Sequence, residues 1–101
     1  MLKSAERPVE QLLELMGHKG VFTILRSLQN GPLRFGVLQQ LTNLPPRTLS
    51  LRLKELEELR LISRTEYNEV PPRVDYALTE RGRGLEPALE ALAAWEEKSL
   101  R

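Results

Sequence analysis

Apolar residues recur at helical spacing through most of this chain and switch once, past its middle, to strand-like runs. Pro8 suits the first turn of a helix, where its missing N–H costs nothing. Val9, Leu12, Leu13 and Met16 then follow at i, i+3, i+4 and i+7, predicting an amphipathic helix that ends at Gly17. A second apolar helix is expected over about 21–28, carrying Phe22, Ile24 and Leu25 and stopped by Asn30-Gly31-Pro32. A short third helix carries Phe35, Leu38 and Leu41, and Thr42 to Pro46 reads as a turn. The fourth helix begins at the pair Pro45-Pro46 and runs to about Leu59, with Leu49, Leu53 and Leu56 as a buried stripe.

From Leu61 the pattern changes. Leu-Ile-Ser-Arg-Thr-Glu-Tyr and Val-Asp-Tyr-Ala-Leu read as two strands joined by a stiff, exposed segment, Val70-Pro71-Pro72-Arg73. Thr79 is expected to cap a last helix in which Leu85, Leu89 and Leu92 form one stripe. Ala88, Ala91, Ala93, Ala94 and Trp95 widen its apolar surface, and Pro87 is a candidate kink. The predicted class is α+β, mainly α: a winged helix-turn-helix with a two-stranded wing and terminal dimerisation helices.

At 101 residues, 41% hydrophobic and 29% charged, the chain is expected to form one domain over 1–101. So small a core gains from burying an apolar terminal helix against a second copy, so a homodimer is expected through Leu12, Leu85, Leu89, Leu92 and Trp95. The absence of cysteine excludes disulfides, thiolate metal sites and a thiol switch. No apolar run approaches the roughly 20 residues of a membrane span and the N-terminus lacks a secretory core, so a cytoplasmic protein is expected.

The net charge of +1 becomes informative only when divided along the chain. Between Glu14 and Glu55 there is no acidic side chain, whereas Lys19, Arg26, Arg34, Arg47, Arg52 and Lys54 fall in that interval, as expected of a surface facing phosphates. A solvated basic face is the plainer alternative. With about 100° per residue, Arg47, Leu51, Lys54 and Glu58 of the fourth helix point away from its leucine stripe. Thr48 and Ser50 flank them, and Arg52 lies nearer the buried edge.

Catalysis finds no support. One histidine, His18, one aspartate and no cysteine make neither a metal cluster nor a nucleophile–base pair, and no glycine-rich phosphate loop follows a strand. No cofactor is expected, and nothing in the sequence names a small-molecule effector.

Several motifs are similar to the HxlR-type family of bacterial transcriptional regulators. They are Pro8-Val9-Glu10, Gly17-His18-Lys19, Ile24-Leu25-Arg26, Gly31-Pro32-Leu33-Arg34-Phe35, Thr48-Leu49-Ser50 with Arg52-Leu53-Lys54-Glu55-Leu56, and Glu69 to Tyr76 leading into Leu78-Thr79-Glu80. The resemblance covers nearly the whole chain, and its wing segment is the most specific part. It implies a dimer whose terminal helices pair and whose recognition helices enter successive major grooves of double-stranded DNA. Three positions depart from the family pattern. Arg7 stands where oxidant-sensing members carry cysteine. Gly20 replaces a tryptophan, implying a looser start to the second helix, and Arg60 replaces a glycine before the wing, adding positive charge near the DNA side.

On this reading Arg47 and Ser50 meet base edges, Thr48 a base or a phosphate, and Leu51 a thymine methyl. Arg52 and Lys54 meet phosphates, Arg34 clamps a phosphate from the short helix, and Arg73 reaches the minor groove or backbone beside the half-site, seconded by Arg64. Each has a plainer alternative. Arg52 can pair with Glu55 at i+3, Arg73 can be a solvated wing residue, and Leu51 an inert exposed leucine. A winged-helix protein-interaction module without DNA binding stays open beside the regulator.

Overall fold

The leucine stripes set the architecture. Residues 8–99 are described in the computed structural model, where the elements run α1 (Pro8–Met16), α2 (Val21–Leu28), β1 (Leu33–Arg34), α3 (Phe35–Thr42), α4 (Pro46–Glu58), β2 (Ile62–Tyr67), β3 (Arg73–Leu78), α5 (Glu80–Arg83) and α6 (Glu86–Ser99). Leu49, Leu53 and Leu56 of α4 are fully buried against Val21, Ile24, Leu25 and Leu28 of α2 and Leu38 of α3. Ile62, Tyr76 and Leu78 of the sheet and Leu89 of α6 close this core. Each such leucine contributes roughly 1.5–3 kcal/mol by leaving water.

The joint between α3 and α4 is made by three residues. Thr42, buried at the end of α3, donates its hydroxyl to the Leu38 carbonyl at 2.8 Å and accepts the Leu44 N–H at 3.3 Å. Asn43 turns the chain with φ 56°, a left-handed value that asparagine tolerates. Leu44 then drops into the core, and α4 starts at once with Pro45 as N-cap and Pro46 inside the first turn.

The sheet has three strands, in order β1-β3-β2, and not the two of the expected wing. Leu33 and Arg34 pair with Tyr76 and Asp75, a two-residue strand too short to show alternation in a sequence. The hairpin itself lies where it was predicted, with Ile62↔Leu78 at its base and Tyr67↔Arg73 at its far end.

Three further expectations change. Thr79 caps α5, a single turn, by accepting the Gly82 N–H at 3.0 Å, so the last apolar segment is two helices. Pro87 falls in the first turn of α6, where it fits without a kink. Gly20 does not loosen α2. It takes φ 89° as the N-cap, and a Cβ there would stand 2.7 Å from Leu44 Cδ1, so the missing side chain makes room for a core leucine.

A tight joint links helix, wing and α5. The Thr79 hydroxyl donates to the Arg60 carbonyl at 2.6 Å, Arg81 Nε donates to the Leu59 carbonyl at 3.0 Å, and the Thr79 N–H donates to the Leu61 carbonyl at 3.0 Å. Gly82 is buried here, and a Cβ on it would overlap the Leu61 carbonyl oxygen. Arg60 lies in this joint with φ 62°. It is exposed, at the base of the hairpin and the far end of α4.

Candidate nucleic-acid interface

Burial of the leucine stripe forces the opposite face of α4 outward. Arg47, Ser50, Leu51, Lys54 and Glu58 are exposed, and Thr48 and Arg52 half-buried. Because α4 rises about 1.5 Å per residue, Arg47 to Lys54 covers about 10 Å of helix, close to the roughly 12 Å width of a major groove. The first turn contains no acidic residue and no side chain caps it. Arg47, Ser50 and Lys54 make no side-chain hydrogen bond or ion pair among the described residues, so their polar ends are available to a ligand.

Arg52 is different. Its Nη1 lies 2.6 Å from Glu55 Oε1, and with the side chain only 16% exposed it sits in the i+3 pair that helical spacing allowed.

Arg34 is exposed, at once the last residue of β1 and the N-cap of α3. It stands opposite Asp75 in the sheet.

The two wing arginines are both engaged. Arg64 faces Tyr76 across the strand pair and lies 3.5 Å from Glu66. Its pKa is raised, first by a hydrogen bond with Tyr76 and then by Glu66, so its charge is held more firmly than in a free arginine. Arg73 is 3.5 Å from Glu69 and 3.6 Å from Asp75, and its guanidinium carbon stacks 4.0 Å from the centre of the Tyr67 ring. Tyr67, Glu69 and Asp75 were not singled out from sequence. The signal was present, since strand alternation puts Arg73 and Asp75 on one face.

The residues assigned to a dimer interface divide as well. Leu92 (49% exposed) and Trp95 (67%) are open, as are Val9 and Leu13 of α1. Leu12 and Leu85 are partly buried and line an apolar cavity of about 500 Å³ between α1, α2 and α6. Leu89, 1% exposed, is a core residue of its own chain, with no area left to offer a partner.

No helix among the described residues is long and apolar enough to cross a membrane, and no group of His, Asp or Glu among them is arranged to hold a metal ion.

The relatives of this chain are transcriptional regulators and not enzymes. It is 41% identical to an HTH-type transcriptional regulator of Synechocystis over 84% of this chain and 64% of that protein. It is likewise 41% identical to the regulator YdeP of Bacillus subtilis over 90% of this chain and 72% of that one. The chain thus spans about two thirds of the length of these curated relatives. Among solved structures, YtcD superposes with a TM-score of 0.84 at 41% identity, over 91% of this chain and 95% of that one. The oxidized redox regulator HypR superposes at 0.83 with 35% identity, over 91% and 96%. A three-helix core, a turn into an outward basic helix and a wing recur in a chain whose residues 15–101 match the family model, and the protein belongs to the HxlR-like helix-turn-helix family.

Proposed function

We propose that the whole chain is one winged-helix unit that binds double-stranded DNA sequence-specifically as a homodimer and regulates transcription in the cytoplasm. The observation that carries this reading is the outward face of α4 over residues 46–54. There Arg47, Ser50, Leu51 and Lys54 are exposed, acid-free and without internal partners among the described residues. Such a turn reads base edges while its cations meet phosphates. Arg47 and Ser50 take the base edges, Thr48 a base or phosphate, Leu51 a thymine methyl, and Lys54 and Arg34 phosphates.

Dimerisation is supported by the apolar side formed by α1 and α6. Val9, Leu13 and Leu92 are exposed around an apolar cavity that no described residue fills, and Trp95 is exposed on the same helix as Leu92. A second copy covering that face presents two α4 helices to half-sites about one helical turn apart.

The test is a mobility-shift titration on the DNA flanking the protein's own gene, at two salt concentrations, with sedimentation of the free protein. Retention that weakens steeply with salt, from a sedimenting dimer, is expected. Absence of retention at low salt defeats the DNA reading, and a strict monomer defeats the dimer.

A further inference from the structure

We propose that Arg73 is a positioning residue that braces the wing from within and is not itself a contact to DNA, a role that rests on the wing lying beside the duplex as proposed above.

Arg73 opposes Tyr67 at the last paired position of the hairpin, so it stands where the two strands would begin to splay. Its guanidinium carbon sits over the Tyr67 ring, 4.0 Å from the centroid, and the group is flanked by Glu69 from the loop and Asp75 from its own strand. The Nε of Arg73 and the Oδ1 of Asp75 are both shut off from solvent, facing each other at 3.6 Å, and neither has a hydrogen-bond partner. These two atoms are therefore held by charge attraction beneath side chains that are otherwise partly exposed. Were Arg73 to swing out to a phosphate, it would exchange one set of anions for another and give up its contacts with Tyr67, Glu69 and Asp75.

The charge of the wing agrees. Across 62–78, Arg64 and Arg73 are set against Glu66, Glu69 and Asp75, a net −1, so the hairpin draws no phosphate towards it by charge. A planar arginine is the suitable brace because one flat group stacks on the ring while its edge meets two carboxylates, which a lysine ammonium cannot reproduce. With Arg73 so occupied, the exposed tip beside it is neutral: Val70, Pro71 and Pro72.

Two measurements test the brace. Amide hydrogen exchange on the free, full-length protein should show residues 66–74 exchanging severalfold faster in Arg73→Gln, Arg73→Lys and Tyr67→Leu. The Arg73→Gln/Tyr67→Leu pair should be no faster than either single variant, and α4 should be unchanged. Wild-type exchange in these variants overturns the proposal. On the bound duplex, Arg73→Gln should weaken affinity by roughly fivefold, the scale of one exposed cation–ring contact with its ion pairs. The slope of log affinity against log salt should stay at the wild-type value. A slope smaller by about 0.9, one phosphate's share, overturns the brace, as does full recovery of affinity by Arg73→Lys. If the wild-type protein binds no duplex at any salt, the DNA reading fails by itself, and the exchange measurement still decides the role of Arg73.

Discussion

Helix α4 carries three cations and the wing two, and the two regions hold most of them in opposite ways. Over residues 46–54 of α4 the core takes the leucines and leaves Arg47 and Lys54 facing solvent without an ion-pair partner among the described residues. In the wing both arginines are matched, Arg64 by Tyr76 and Glu66, Arg73 by Tyr67, Glu69 and Asp75. A helix packed by one face has its other face free by geometry. A two-stranded projection has little core of its own and must be stiffened by contacts between its side chains. A count of basic residues therefore overstates the free charge of the wing at both arginines and that of α4 only at Arg52.

The sharpest way to break this contrast is to reverse the free charges. Arg47→Glu with Lys54→Glu is expected to weaken binding by roughly a thousandfold, about 4 kcal/mol, since two attractive contacts become repulsive. Mobility shift measures it, and circular dichroism should show the fold intact because both residues are exposed.

The next effect falls on the joint that sets the wing relative to α4. Gly82→Ala drives a Cβ into the Leu61 carbonyl, backbone against backbone, and is expected to lower stability by about 3 kcal/mol in urea unfolding. An alanine variant as stable as the parent would mean that the joint yields more easily than its hydrogen bonds suggest.

Arg60→Gly probes the same joint with the opposite sign. The left-handed backbone costs a non-glycine residue about 1–2 kcal/mol, and glycine returns part of that gain through its greater freedom when unfolded. A net stabilisation of about 0.5–1 kcal/mol is expected, with DNA affinity unchanged because the residue lies at the base of the hairpin.

The smallest effect sharpens the boundary between free and matched cations inside α4 itself. Glu55→Gln removes the partner of Arg52 and is expected to raise DNA affinity by a few-fold, as Arg52 becomes available to a phosphate, while stability falls by about 0.3–0.5 kcal/mol. Unchanged affinity would show that Arg52 points away from the duplex whether paired or not.

Much of this molecule was determined by its sequence alone. The stripes Leu49-Leu53-Leu56 and Ile24-Leu25-Leu28, the prolines that open α4 and the strand-like runs on either side of Val70-Pro71-Pro72-Arg73 are local patterns, so α1 to α4 and the hairpin lie within a residue or two of expectation. The outward face of α4 follows from the same periodicity, because a helix that buries one stripe has no choice about the other. Tertiary structure decided what a period cannot carry. It paired Leu33-Arg34 with β3, placed Leu44 and Leu89 in the core, gave Thr79 to a one-turn helix and put a left-handed Arg60 beneath the wing. It also decided which arginines are free. Periodicity reports the direction of a side chain, whereas the partner of a charge depends on register between segments that meet only when the chain has folded.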